Sequence, residues 1–269
     1  TTGREMELRR LWLMLDDAEL RARPLTCLVL GSVGMGKNGL LDAFRSQVEQ
    51  MPTKLYFFME VACTRMRRNL PYSAVVELVR LRAGILDGDS ADGARTKLRR
   101  MVTYAFGRLG RSAVTPERQR EAERVADQIA RLPAFDLEEP ERMGAREELA
   151  GSGRAEVTQA LAAYFQAVAV TTPVLLLIRN AQHADPSSLA LFRDLLARLQ
   201  GVPILAVASS TEADEMEVLQ SNAHQRSLPE RLPLPFNEHL VLQPLADGAV
   251  RCVVREMLAG QPAQPPVAP

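Results

Sequence analysis

Cysteine is scarce in this 269-residue chain: Cys27, Cys63 and Cys252 are odd in number, widely spaced and contain no C-x-x-C pair. A disulfide framework and a four-cysteine zinc site are thereby excluded, and the usage points to a reducing compartment. His183, His224 and His239 are isolated, with no H-E-x-x-H or His/Cys grouping, so no metal centre is expected from them. Charge of one sign is not in excess, since 33 Lys plus Arg face 33 Asp plus Glu, and aromatics make up only 5%. A dedicated nucleic-acid surface is not expected on that balance. The longest uncharged run, 157–178, is broken by Thr158, Gln159, Gln166, Thr171, Thr172 and Pro173, and reads as a helix, a turn and a buried strand instead of a membrane span. No signal peptide is read in it, and a cytoplasmic location without membrane association is expected. The chain begins at Thr1 and ends in a Pro-rich stretch, Gln261 to Pro269, which suggests a domain within a longer protein, with 1–260 as the domain and 261–269 as a linker.

What remains is ordinary globular material, 46% apolar and 25% charged, long enough to bury its own core. Strand and helix signals alternate, which favours a parallel sheet covered by helices on both faces. Leu25 to Leu30 reads as a strand and is followed by a Gly-rich turn. A helical pattern from Gly36 to Gln50 comes next, with Leu40, Leu41, Phe44 and Val48 on one face. Further strands are expected at Lys54 to Val61, Val174 to Ile178, Pro203 to Ala208 and His239 to Leu242. Asp185 followed by Pro186 reads as an N-cap with proline at the first helical position, opening an amphipathic helix through Leu189, Phe192, Leu195, Leu196 and Leu199. Residues 62–173 are far too many for one crossover and imply a helical insertion. Within it, Arg95 to Arg111 carries six cations and no acid. The segment suits an acidic partner or a membrane surface, or else forms a solvated face met by Glu117, Glu121, Glu123 and Asp127.

The chemistry lies in GSVGMGKN, Gly31 to Asn38, between a buried strand and a helix, which is the context of a phosphate-binding P-loop. Glycines let backbone N–H groups approach phosphate oxygens, the helix N-terminus adds a favourable dipole, and Lys37 reaches the outer phosphates. Lysine occurs only at 37, 54 and 97, so this one is not background. Two other readings stand beside it. Gly34, Gly36 and Gly39 also spell the dinucleotide pattern G-x-G-x-x-G with Glu60 as the ribose acid, although Gly34 lies three residues beyond Gly31 and the pattern gives Lys37 no role. A glycine-rich turn that merely packs helix on sheet is the third.

Taken together, these pieces resemble the STAND and AAA-like ATPase domains of bacterial signalling proteins over nearly the whole chain. Gly3, Arg4, Glu5 and Leu8 resemble the family's opening GRExEL box, and GSVGMGKN its Walker A loop. LLLIRNAQHADPSSL, Leu175 to Leu189, is similar to the Walker B strand and following helix, hhhhDDLHWADPSSL. Ser209 to Thr211 fall where sensor 1 stands, and HLVLQPL, His239 to Leu245, resembles the last strand and the start of the helical lid. The resemblance implies an α/β P-loop NTPase three-layer sandwich, with a mostly parallel five-stranded sheet, a large helical insertion and the beginning of a lid. It also implies nucleotide contacts at Gly31, Val33, Gly34, Met35, Gly36, Lys37, Asn38 and Gly39, with Arg179 and Arg4.

The departures fall on the catalytic positions. The Ser or Thr after the P-loop lysine and the Walker B Asp hold Mg²⁺ in a working P-loop NTPase; here they are Asn38 and Arg179. The position of the water-orienting acid is Asn180, and the usual sensor Arg is Thr211. The expected cofactor is therefore ATP or ADP without Mg²⁺, and efficient hydrolysis is not expected. Arg179 either replaces the metal charge at the phosphates or stands at a strand end reaching solvent or a nearby Asp. The resemblance implies a regulatory or scaffolding role beside other modules of the same chain or a signalling partner, compatible with an oligomer. A slow ATPase switch completed by a partner and an interaction module without nucleotide are the alternatives.

Overall fold

The central strands are buried on both faces, and this follows from their content. In the computed structural model, every residue of β1 (Pro24–Gly31) after Pro24, all of β3 (Val174–Arg179), and β4 (Ile204–Thr211) up to Ser210 are buried. Such continuous apolar runs suit parallel strands with helices on both sides. The structure describes residues 3–107, 115–132, 151–211 and 234–245, with Gly248 and Val250. With β2 (Phe57–Ala62) and β5 (Glu238–Val241) they form one parallel sheet in the order β2-β3-β4-β1-β5. This is the expected five-stranded P-loop NTPase-like α/β fold.

Alternation along β1 divides the interior in two. Leu28 and Leu30 join a core beneath the helices of the insertion, α3 (Ser73–Ala83), α4 (Ala91–Gly107), α5 (Pro116–Ile129) and α6 (Gly151–Ala169), and beneath α7 (Pro186–Arg198). Leu25, Cys27 and Val29 join the opposite core, closed by α1 (Glu5–Leu20) and α2 (Lys37–Glu49). The run 157–178 resolves into the end of α6, a turn and β3. Among the described residues no helix is long and apolar enough to cross a membrane.

Some boundaries move. β2 starts at Phe57 and not at Lys54, because its partner β3 begins only after Pro173, whose carbonyl accepts from the Phe57 N–H at 2.8 Å. Lys54 instead pairs with Glu19 and lies 5.6 Å from the Tyr56 ring centroid. β5 is shifted by one residue from the expected range, and the Leu242 N–H still bonds the Leu30 carbonyl at 2.8 Å. Of the acids expected to meet the basic helix, Asp127 pairs with Arg99 at 2.9 Å, whereas Lys97 turns to Asp89 at 2.6 Å on its N-terminal side. Arg108, Arg111 and the linker 261–269 lie outside the described residues.

Burial pushes the thiols of Cys27 and Cys63 up to about 12, with Glu238 and Asp185 respectively adding to the shift. Both stay protonated near neutrality, and the thiolate is the reactive form. Expected outcome: a Cys252→Ala variant shows no reaction with Ellman's reagent at pH 8 while folded, and two equivalents react in guanidinium.

Candidate functional site

The carboxyl end of β1 delivers the chain into the glycine loop. Gly31 closes the strand against Leu242 and Met35, and Gly34 and Gly36 take φ of 85° and 81°. Those left-handed values disfavour any side chain with a Cβ, so glycine at 34 and 36 sets the loop's path. Gly36 is the N-cap of α2, and the first intrahelical bond runs from the Leu40 N–H to its carbonyl at 2.9 Å. The N–H groups of Lys37, Asn38 and Gly39 precede that bond and therefore lack intrahelical acceptors, leaving a helix N-terminus suited to an anion. Lys37 is buried, and its Nζ donates to the carbonyls of Gly31 at 2.6 Å and Ser32 at 2.9 Å, folded over the loop it would share with phosphate. Val33 stands exposed at the tip and Met35 is half-buried against the α1–α2 core.

Arg4 lies just before α1, far from the loop in sequence, yet its Nη2 donates to the Met35 carbonyl at 2.9 Å and to the Gln243 carbonyl at 2.8 Å. Glu7 holds its Nη1 at 3.0 Å. The side chain is buried and ties the tip of the P-loop to the segment after β5. It therefore braces the loop through the Met35 carbonyl.

Arg179 ends β3 beside the loop. Its Nε donates to Glu60 Oε1, its Nη2 to Asp42 Oδ1 at 2.6 Å, and its Nη1 to the Asn38 carbonyl at 3.3 Å. Glu60 Oε2 in turn accepts from Arg45 at 2.7 Å. Asp42 was legible only as "a nearby Asp", and Glu60 only under the dinucleotide reading. The register shows why they meet: Glu60 pairs with Leu177, so two residues on, Arg179 lies on the same face one step along the neighbouring strand. Asp42 comes from the first turns of α2, packed over that face. A guanidinium has no lone pair for a cation, and here both nearby carboxylates are already turned toward it.

At the adjacent strand ends, Asn180 adopts φ 55° and its N–H donates to Ser209 Oγ at 3.1 Å. Gln182 and Thr211 form a two-way pair, Nε2 to Oγ1 at 3.2 Å and the Thr211 N–H to Oε1 at 3.3 Å. Among the described residues no group of three His, Cys, Asp or Glu side chains is placed to hold a metal ion. The structure thus gathers residues 31–39, Arg179 and Arg4 at one edge of the sheet.

Sequence reading gave Asp185 its N-cap role but missed its second one. This buried carboxylate caps α7 through the Ser188 N–H at 2.8 Å. It also accepts from the Tyr72 N–H at 2.8 Å, Ser73 Oγ at 3.0 Å and the Ala74 N–H at 3.3 Å, at the head of α3. One side chain therefore ties the helix after β3 to the start of the insertion. No local pattern announces the second half of that contact, because its partners lie more than a hundred residues away.

A family model described as an AAA ATPase domain matches residues 1–207. No curated protein matches the chain. Among solved structures the fold is similar to the ORC1 protein of Aeropyrum pernix in complex with DNA, at 13% identity and a TM-score of 0.45 over 96% of this chain and 50% of that one. Cdc6p of Pyrobaculum aerophilum is similar at 12% identity and a TM-score of 0.44, over 94% and 48%. The E. coli MS115-1 HORMA:CdnC:Trip13 complex follows at 13% and 0.43, over 97% and 69%. The chain spans about half the length of the two archaeal proteins. With the family model covering most of its length, the chain belongs to the AAA ATPase domain family.

Proposed function

We propose that this AAA domain is a STAND-like nucleotide-binding module that does not hydrolyse efficiently, and that it serves as a regulatory or scaffolding part of a larger cytoplasmic signalling protein. The observation that carries the reading is Arg179. It sits between Glu60, Asp42 and the Asn38 carbonyl, beside a loop in which Gly34 and Gly36 are left-handed and Lys37 folds over the Gly31 and Ser32 carbonyls. The loop N–H groups and Lys37 fit the phosphates of ATP or ADP, with Lys37 exchanging its carbonyl partners for phosphate oxygens. Mg²⁺ does not fit: the position where a P-loop NTPase keeps an acid holds a cation, and Asn38 offers no hydroxyl. Arg179 supplies the positive charge in the metal's place. Asn180 has no basic atom to activate water, and the Thr211 hydroxyl is engaged by Gln182.

Calorimetric titration of ATP and ADP tests this. The expected result is saturable binding that Lys37→Ala weakens by about a hundredfold, roughly two strong charge-assisted contacts, with no turnover in Mg²⁺. Turnover in Mg²⁺ that Lys37→Ala abolishes would instead make the domain a slow switch. Absence of binding would leave an interaction module, which the self-satisfied state of Lys37 and Arg179 also favours.

A further inference from the structure

A cavity of ≈ 390 Å³ opens where the insertion meets the sheet, between the start of β2, the end of α3, α4 and α6. It is remote from the P-loop. Phe57 is aligned through β3 and β4 with Pro24, the first residue of β1, whereas the loop follows the last, so the two sites are separated by about 23 Å of strand.

Its chemistry is two-sided. Phe57, Met101, Ala105 and Val168 supply an apolar floor, closed by Tyr164, whose ring meets Phe57 edge-on with centroids 6.4 Å apart. The rim is cationic. Arg82 lies 4.1 Å over the Phe57 ring, Lys97 reaches in from α4 while held by Asp89, and Arg100 follows it one turn later on the same helix. Arg100 has no carboxylate partner among the described residues. Among the described residues, no acid lines the cavity. The basic stretch of the insertion is thus not simply a solvated face: two of its cations border an apolar hollow of the size that small-molecule sites have.

We infer that this cavity binds a small amphiphilic acid, a single carboxylate or sulfonate on an apolar body, whose anionic head meets Arg100 and Lys97 and whose body lies on Phe57 and Met101. Cation–aromatic stacking of Arg82 on Phe57 keeps that wall flat and charged at once. The site is independent of the nucleotide reading, since its described lining includes no P-loop residue.

The test uses the whole chain and the fluorescent probe anilinonaphthalene sulfonate. Expected are enhancement saturating at one probe per chain, displacement by decanoate and none by decanol at equal concentration. Arg100→Glu, a surface change that leaves the core untouched, weakens probe and decanoate by at least about tenfold, a loss on the scale of one charge-assisted contact. Met101→Trp fills the hollow and abolishes binding. Absence of saturable enhancement, displacement by decanol as effective as by decanoate, or an Arg100→Glu variant that binds like the parent would each overturn the inference.

Discussion

Asp185→Ala is expected to lower the stability of the folded domain by about 3 kcal/mol or more. The substitution removes an N-cap, typically about 1 kcal/mol. It also removes the buried carboxylate that the Tyr72 and Ala74 N–H groups and the Ser73 hydroxyl share, leaving the Arg67 carbonyl at 3.0 Å as the acceptor for Ser73. Hydrogen bonds to a charged acceptor contribute about 1.5–3 kcal/mol each, and buried donors left without a partner cost their full desolvation. Ser188 limits the rescue: its hydroxyl, held by Asp185 at 2.6 Å, lies within 3.2 Å of the Ala74 N–H and 3.3 Å of the Val75 N–H. Losing the carboxylate frees that hydroxyl to reorient as well. At this size the thermal midpoint should fall by roughly 6–12 °C, measured by circular dichroism. Asp185→Asn should fall between, because the amide keeps one acceptor oxygen and loses the charge. A midpoint unchanged in Asp185→Ala would mean that the two helix starts are held by packing alone.

The second large effect concerns the metal. Nucleotide affinity should be the same in Mg²⁺ and in EDTA within about twofold, and Arg179→Ala should lower it by about tenfold, the worth of one charge-assisted contact. Electrostatics set the sign. A divalent ion about 4 Å from a guanidinium would meet a repulsion of roughly 8 kcal/mol at an effective dielectric of 20, and the Glu60 and Asp42 carboxylates that could offset it are engaged by Arg179 itself. Asn38→Ser combined with Arg179→Asp returns a hydroxyl and an acid to the positions where P-loop NTPases hold the ion. In that double variant, affinity should become at least about tenfold stronger in Mg²⁺ than in EDTA. Equal dependence on Mg²⁺ in the parent and the double variant would show that Arg179 does not stand in for the metal.

Much of this was readable locally. The strands of the sheet centre carry their burial in their composition, and the loop carries glycines at 34 and 36 where the backbone turns left-handed, followed at once by Lys37. The absence of an acid at 179 and 180 is a statement of residue identity, and folding does not alter it. Other parts depended on register. That Glu60 stands beside Arg179 needs β2 and β3 parallel and aligned Phe57 to Val174, and Glu60 therefore looked like a ribose acid when only its place at a strand end was known. Arg4 shows the same limit. Its box resembles a family motif, and only the packing of α1 reveals that its Nη2 donates to the Met35 and Gln243 carbonyls.

The sequence by itself determined the fold class, the position of the glycine-rich loop and which residues stand at 38, 179 and 180, because periodicity, glycine placement and the presence or absence of a carboxylate are properties of the residues in order. The tertiary structure alone decided which charges neutralise which, how Asp185 serves two helices, and that Phe57, Arg100 and Tyr164 border one hollow. Those depend on distances between residues tens to more than a hundred positions apart, which the packing of helices on the sheet sets and no local pattern records.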